Sequence, residues 1–591
     1  MDLQDNINIR KLFQDKIIKI EKDKLNIDIN EFIEYDYELY DKFLSNPSEF
    51  IGEIKKEARI YNLVNPFINF INWKENSDIS KIRVKDIGKI VKLDGMISKI
   101  TDPLALVISK KFSCPSCGSI LTTQGKMPPR CSCGRKQGFI SEKVYLQDIQ
   151  ELILEELQER TEGKPPQKIR IRLKDELTSS DFSQLLRPGN RVSIIGYVDK
   201  ILLNNKQDAE MFQYRITAVK IKYLEDKFDD TITPEDLEEI NQMSLDNPIE
   251  KLKDSIAPNI WGRDDLKKIL LLQMVGGVQK EMNDGKLTRD WINLLVVGSP
   301  STSKTELAKN VNIRCPKSFY ASGDNASGVG LTVAMAKDEL LGNWGIEVGP
   351  LVKANRSLLV CDELDKFPKE QLKALHTPLE SGIVKLSKAG VDGKFPAETA
   401  MLGLANPKYG VFDENKSIIE QVNLPPALLS RFDLIYVLHD EINKESDDKI
   451  TELIYSQTKK LSEEPISVQL FRKYISHAKN FQPKLLEKHL RDLQEFYHDV
   501  RKKSISKDSK MKGLPIGTRH LQGLIRFAEA SAKLRLSDTV EKEDFELAKK
   551  LFYDSLVKIG LDEGGVFDMA RITNNNQTVS RRKKNDFVLD T

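Results

Sequence analysis

Apolar and polar positions follow three textures along this chain. Up to about residue 80 the apolar positions fall at helical spacing, as in ELYDKFLSNPSEFIGEIKKEA, and predict a helical bundle. From about Val84 they come in short runs broken by glycine: KDIGKIVKLDGMISKITD, VYLQDIQELIL, KIRIRL and RVSIIGYV. Such runs predict short strands forming a small barrel of the OB type, with a cysteine-bearing loop. Between about 256 and 440 the runs WINLLVVG, RSLLVCDE, AMLGLANP and FDLIYVL alternate with helical stretches, which predicts a parallel sheet covered by helices. From about Ser467 to Ile559 the pattern is helical again. The polar end from about Asp562, with Arg581-Arg582-Lys583-Lys584, predicts a partly disordered tail. The expected plan is a multidomain α/β protein. It has a helical domain 1–82, a barrel domain 83–225 with a cysteine subdomain at about 109–142, and a linker 226–255. A sheet-based core 256–465, a helical lid 466–560 and a flexible tail 561–591 follow.

Composition agrees with several cores. The chain has 591 residues, 40% of them hydrophobic and 30% charged, with a net charge of +2. A single core does not grow to that size. No apolar run is long enough for a membrane span, and the start MDLQDNINIRKLFQD lacks a signal peptide's apolar core, so a cytosolic protein is expected. The near-neutral total hides one basic stretch, Ser109 to Lys143. There Lys110, Lys111, Lys126, Arg130, Arg135, Lys136 and Lys143 face one acid, Glu142. It is either a phosphate-binding face or an ordinary solvated surface.

The strongest candidate chemistry is Gly298-Ser299-Pro300-Ser301-Thr302-Ser303-Lys304-Thr305, which follows the apolar run Ile292–Val297 and opens a helical stretch. That is the setting of a phosphate loop: backbone N–H groups at a helix start hold phosphate oxygens. Lys304 reaches the outer phosphates of ATP, and Thr305 ligates Mg²⁺. The usual second glycine of the motif is Ser303 here. Leu358–Cys361 runs into Asp362-Glu363. Asp362 is expected in the Mg²⁺ shell, and Glu363 as the base that deprotonates the attacking water. Met401–Ala405 ends in Asn406, an amide able to hold that water or the γ-phosphate. Leu429-Ser430-Arg431-Phe432-Asp433 sets an arginine before another apolar run, where it can serve a neighbouring subunit's nucleotide. These four elements in this order predict an ATPase core of the AAA+ class with a helical lid.

Cys114-x-x-Cys117 and Cys131-x-Cys133 offer four thiolates beside Gly118 and Gly134. Structural Zn²⁺ is the favoured reading, against disulfides or free thiols; four filled positions leave no open site for catalysis. Gly196–Thr217 reads as a hairpin turning at Asn204-Asn205 and carrying Lys200, Lys206 and Arg215. It is either a DNA-binding hairpin or an exposed turn. Arg170 and Arg172 alternate with Ile169 and Ile171 and so share one strand face, which meets either single-stranded phosphates or solvent.

With these residues in view, the chain resembles the minichromosome maintenance (MCM) helicases, the archaeal type above all. The resemblance rests on Ser255-Ile256-Ala257-Pro258-Asn259-Ile260-Trp261-Gly262, the serine-rich loop GSPSTSKT, Gly328-Val329-Gly330-Leu331-Thr332 and Asp362-Glu363-Leu364-Asp365-Lys366. Ala405-Asn406-Pro407, Leu429–Asp433, Thr518-Arg519-His520-Leu521 and Ala528–Lys533 complete it. The match is looser before residue 256, through Asp86-Ile87-Gly88-Lys89 and the cysteines. It implies a homo-oligomeric ring, usually a hexamer, that encircles single- and double-stranded DNA and unwinds it during replication, with replication factors as possible partners. It also implies that Arg431 and Arg519 reach a neighbour's ATP, that Lys388 sits on a pore hairpin, and that Gly330–Gly349 is an insert interrupting a helix. Ser299, in place of an acid, Glu398, in place of an arginine, and Thr377-Pro378, breaking the helix after His376, depart from the family pattern. No winged-helix domain is expected after the lid. An AAA+ protein-remodelling ATPase and a non-enzymatic DNA-encircling scaffold are the competing functions. The cysteine knuckle and Lys388 argue against the first, and intact Lys304, Glu363 and Arg431 against the second.

Overall fold

The computed structural model describes residues 3–21, 24–63, 66–73, 76–124, 126–157, 166–203, 211–224, 232–282, 285, 287–300, 302–323, 330–337, 344–388, 391–412, 418–438, 448–449, 451–452, 455, 465–504 and 517–559. The chain divides into two compact units. One is built on the chain up to Asp226 with Met335–Val348, the other on Lys227–Ala334 and the chain from Gly349 onward.

The first unit opens with helices Leu3–Gln14, Ile29–Tyr35, Tyr37–Ser45 and Pro47–Ala58. Their starts are written locally. Asp28 accepts from the Asn30 N–H at 2.9 Å, Asp36 accepts from the Leu39 N–H at 2.9 Å, and Pro47 occupies a first turn where no N–H is needed. The helices expected in 1–82 are present, and a small sheet joins them. β1 (Ile18–Glu21), β2 (Lys24–Asp28) and β3 (Phe67–Ile71) form a small sheet, antiparallel between β1 and β2 and parallel between β2 and β3. Lys-Leu-Asn-Ile-Asp alternates at period two, with Leu25 and Ile27 turned into a core that also holds Phe32, Phe43, Phe50 and Phe70.

The barrel is present. β4 (Ile90–Thr101), β5 (Leu104–Ser113), β6 (Ile120–Thr123), β7 (Ile140–Glu155), β8 (Lys168–Lys174), β9 (Arg191–Leu203) and β10 (Met211–Tyr223) run β4-β9-β10-β8-β7, and β7 pairs back onto β4 to close the ring. Ile97, Leu152, Ile171, Ile194 and Ile216 fill the interior. Gly196 sits where β9 bends over β10; a Cβ there would lie 2.4 Å from the Thr217 carbonyl oxygen. β5 pairs onto the first part of β7 and β6 onto β5, and the cysteines lie in the connections, Cys114 and Cys117 between β5 and β6, Cys131 and Cys133 between β6 and β7.

The remaining strands are β11 (Leu294–Gly298), β12 (Phe319–Ser322), β13 (Val333–Lys337), β14 (Trp344–Val348), β15 (Leu358–Asp362), β16 (Ile383–Lys388), β17 (Val391–Pro396), β18 (Ala400–Ala405) and β19 (Leu434–Leu438). β14 joins the first unit's sheet, pairing antiparallel with β4 at Gly345↔Thr101 and Ile346↔Ile100. Within the stretch 330–349, β13 and β14 therefore extend the barrel sheet. The second unit is built on a fully parallel sheet of order β12-β15-β18-β11-β19. β11, β15, β18 and β19 are buried along their whole length, which explains their unbroken apolar runs. The predicted linker is also ordered. Thr233 and Asp236 form a capping box on the helix Pro234–Ser244, and the helix Pro248–Ser255 follows; both belong to the second unit. Pro378 lies in the first turn of the helix His376–Ser381, so the break falls before it, at Leu375, where the helix Lys369–Ala374 ends. The tail 561–591 lies outside the described residues.

One buried charge ties three of these elements. Asp433, 0% exposed, bonds Arg289 and, at 2.5 Å, Arg526 of the helix Thr518–Leu534, and accepts from the Asn293 N–H at 2.8 Å. Burial opposes its ionisation, but Arg289 and Arg526 outweigh it and hold the carboxyl below the usual carboxylate range. A depressed pKa contributes stability above the unfolded carboxyl's pKa, and that stability is lost as pH falls through the folded value. Asp433→Asn, which leaves two buried guanidiniums facing an amide, is expected to cost about 3–5 kcal/mol. Denaturant unfolding at pH 7 measures it, and the gap from wild type should narrow on acidification.

Candidate functional site

β11 ends at Gly298, and the helix Lys304–Arg314 begins after a short loop. Glycine is required at 298: a Cβ would meet the Leu438 Cβ at 2.9 Å and the Thr302 hydroxyl at 3.0 Å. Ser303, standing where the motif usually has glycine, has φ of +58°. That left-handed conformation costs a side-chain-bearing residue ~1–2 kcal/mol. Lys304 turns inward, its Nζ donating to the carbonyls of Gly298 at 2.8 Å and Ser299 at 2.6 Å and to the Thr302 hydroxyl at 3.1 Å. Burial lowers its pKa to about 8, against the pull of Asp362 and Asp365. Ser299 is half-buried, while Pro300 and Thr305 are exposed; Ser301 lies outside the described residues.

The sheet's parallel register brings the other candidates to the same edge. Cys361 pairs with Gly403, and Val297 with Ala405, so Asp362, Asn406 and Gly298 all leave the C-terminal ends of neighbouring strands. Crevices at such ends are where ligands bind in open α/β sheets. Asp362 is buried, its oxygens accepting from the Tyr320 hydroxyl at 2.6 Å and the Glu363 N–H at 2.9 Å. Burial, together with this bond to Asp362, keeps the Tyr320 phenol protonated far above its ordinary range. Glu363 has φ of +53°, a second non-glycine residue in left-handed backbone. Lys366 pairs with its carboxylate at 2.7 Å. The Asn406 N–H donates to Asp365 at 3.1 Å. Tyr320, Asp365 and Lys366 had no role in the sequence reading; Asp365 and Lys366 stand in the quoted acidic stretch, whereas only strand register brings Tyr320 in.

Arg431 and Arg519 are elsewhere. Arg431 precedes β19, and β19 runs parallel to β11 in register from Leu294↔Leu434 to Gly298↔Leu438. It therefore stands at the opposite edge from the chain's own phosphate loop, with about 13 Å of strand between. There Arg431 bonds Glu380 at 2.9 Å and Arg519 bonds the same carboxylate at 2.8 Å; Arg519 also donates to the Ser430 carbonyl. Glu380 is a further residue that the sequence reading missed.

Lys388 closes the ladder of the β16–β17 hairpin opposite Val391, far from its root at Ile383↔Pro396. Ala389 and Gly390 lie outside the described residues, as do Gly328 and Val329 of the insert motif and Asn204, Asn205 and Lys206 of the barrel hairpin. Glu398 faces Arg356 at 3.5 Å. Arg170 and Arg172 do share a face, but it is not free. Glu151, 1% exposed on β7, takes Arg170 at 2.8 Å and Arg172 at 2.7 Å, with Arg215 at 3.7 Å. Arg170 is itself buried, so at that residue the face expected to meet phosphates or solvent is occupied by an internal ion-pair cluster, while Arg172 is partly exposed.

The four cysteines converge. None is in a disulfide, and their sulfurs all lie within 4.8 Å of one another, with Cys114–Cys133 at 3.6 Å and Cys117–Cys131 at 3.5 Å. Four thiolates around one zinc would stand about 3.8 Å apart, given the usual Zn–S length in a tetrahedron. The donor set fits that ion. Gly118 and Gly134, both at positive φ, donate to the carbonyls of Cys114 and Cys131 and close the two turns.

A five-stranded parallel sheet with a phosphate loop, an acidic pair and a helical lid, joined in sequence to an OB barrel with a cysteine knuckle, defines a P-loop ATPase of the AAA+ class. Comparison with known proteins narrows it. Residues 78–202 match the MCM OB domain, 236–458 the MCM P-loop domain and 469–556 the MCM AAA-lid domain. The chain is 31% identical to the minichromosome maintenance protein MCM of Saccharolobus solfataricus, over 86% of this chain and 76% of that protein. It is 30% identical to the DNA replication licensing factor MCM4 of Arabidopsis thaliana, over 97% of this chain and 73% of that protein. It is also 30% identical to the licensing factor mcm7 of Xenopus tropicalis, over 80% and 68%. The chain belongs to the MCM family. Among the described residues no helix is long and apolar enough to cross a membrane.

The knuckle yields a test. The protein purified without chelators should carry about one zinc per chain by elemental analysis. Cys131→Ser should lose the metal and open the β5–β6 end of the barrel to protease, since a structural site contributes folding energy directly.

Proposed function

We propose that this chain is one subunit of a hexameric ring that encircles DNA in the cytosol and unwinds it at the expense of ATP during replication. The single observation that carries the ring is the division of the nucleotide chemistry across one rigid sheet. The phosphate loop, Asp362, Glu363 and Asn406 stand at one edge, and Arg431 and Arg519 at the other. A chain built this way completes no site alone. A second copy, placed edge to edge, completes one, and repetition of that contact closes a ring.

The residues would divide the work as follows. The loop from Gly298 to Lys304 offers N–H groups at a helix start to the phosphates, and Lys304 exchanges its three oxygen partners for phosphate oxygens. Asp362 and Thr305 supply the hard oxygen donors that Mg²⁺ takes; the ion would screen the charge of the leaving phosphates. Glu363 accepts the proton of the attacking water once Lys366 releases it, and Asn406 holds that water. Arg431 and Arg519 neutralise charge on the neighbour's γ-phosphate. The zinc knuckle, the barrel with Lys206 and the hairpin bearing Lys388 would meet the DNA backbone, without sequence preference and with strong dependence on salt. The OB-domain match favours DNA over a polypeptide as the translocated polymer.

Two outcomes are expected. Glu363→Gln should bind a fluorescent ATP analogue as wild type does, while its turnover falls by more than about 100-fold. Turnover near wild type would remove Glu363 from its role. Lys388→Ala should keep basal ATP hydrolysis but fail to separate a forked duplex. If it unwinds the fork as fast as wild type, the pore-hairpin role is lost and the ATPase reading stands.

A further inference from the structure

Outside the nucleotide loop, Glu380 stands at the centre of a charged cluster. It lies on the helix His376–Ser381, one carboxylate between two guanidiniums: Arg431 at 2.9 Å on one oxygen and Arg519 at 2.8 Å on the other. Arg519 also donates to the carbonyl of Ser430, the residue before Arg431. The four groups thus form a closed loop of contacts. Two guanidiniums this near each other repel, and both side chains are long and rotatable. A shared carboxylate removes the repulsion and fixes their spacing. It is also a planar anion bound as an arginine pair binds phosphate oxygens.

We propose that Glu380 is a positioning residue for hydrolysis. It holds Arg431 and Arg519 as a fork of set width, so that both reach the neighbouring subunit's γ-phosphate together. This rests on the reading that these arginines act across a subunit boundary. Glu380 lies with Arg431 and Arg519 at the edge away from its own chain's phosphate loop. The side chains are partly exposed, at 51% for Glu380, 27% for Arg431 and 23% for Arg519, so the pairs contribute little to fold stability. That separates a positioning role from a structural one: removal should leave melting unchanged and alter the chemical step.

The test is a set of mixed rings. Glu380→Ala alone should lose about 100-fold in kcat, the scale of a misplaced catalytic group, with KM for ATP and the melting temperature as in wild type. Mixed with Lys304→Ala chains, whose forks are intact but whose loops are dead, it should regain turnover. Mixed with Arg431→Ala chains it should gain none, because both partners lack a working fork. If Glu380→Ala melts lower than wild type, Glu380→Gln, which keeps the volume and one acceptor oxygen, carries the same comparison. A wild-type kcat, or a loss that Lys304→Ala chains do not rescue, overturns the proposal. The control separates the two readings. If Arg431→Ala with Lys304→Ala regains nothing, action across the boundary fails, and the proposal with it. If that pair regains turnover while Glu380→Ala matches wild type, only the role of Glu380 falls.

Discussion

The second unit turns on the carboxylate of Asp433. It is wholly buried in the loop before β19, and it binds groups from two other stretches of chain: Arg289 and Asn293 before β11, and Arg526 of the lid helix. A buried charge tolerates almost no change in its partners' positions, because each lost contact exposes an unpaired ion to low dielectric. The loop strand, the arginine loop and the lid are therefore fixed to one point. Arg431 is separated from Asp433 only by Phe432, and Arg519 leads the helix that carries Arg526, so both fork residues inherit their placement from this clamp. Lys533, buried further along that helix, donates to the Gly277 carbonyl at 2.6 Å and fastens it a second time.

The opposite edge holds two strained residues. Ser303 and Glu363 both hold left-handed backbone that glycine would adopt freely, and they flank the crevice into which Lys304 and Asp362 point. Such conformations persist where surrounding contacts over-determine them. Here the inward lysine satisfies the loop's carbonyls, and the bond from the Glu363 N–H to Asp362 fixes the turn after β15. The loop is thus kept in shape by a buried cation, and the Glu363 carboxylate is held by Lys366.

Much of this was legible in the sequence, for physical reasons. A strand buried on both faces writes an unbroken apolar run, so LLVVG, LLVCD and AMLGLA announced a covered parallel sheet, and the polar residues at their ends announced its edge. Paired cysteines likewise announce a chelate. Tertiary partners leave no such mark. Nothing local says that Tyr320 will face Asp362, that Glu380 will bridge two arginines, or that Glu151 will bury Arg170. The alternation in KIRIRL gave the shared face of Arg170 and Arg172 correctly. What covers that face is decided by β7, which pairs with β8 at Glu151↔Arg172. The small sheet of β1, β2 and β3 was missed because its strands are short, and the first two lie between strongly helical segments.

The fork and the hairpin share a mechanical base. Glu380 and Ser381 end the helix His376–Ser381, Gly382 turns at φ of +66°, and β16 starts at Ile383. Gly382 is needed there: a Cβ would lie 2.7 Å from the Trp291 ring. The turn is further closed by the Ala397 N–H donating to the Gly382 carbonyl at 2.7 Å, across the hairpin's root. From that root β17 leads through Glu398 into β18 and Asn406 at the nucleotide edge. Only Ser381 and Gly382 thus separate Glu380 from the start of β16, while β17 reaches the nucleotide edge only through the length of β18. The close contacts at Gly382 and the Ala397 bond leave this root little room to bend, so the start of the hairpin is fixed to the end of the Glu380 helix.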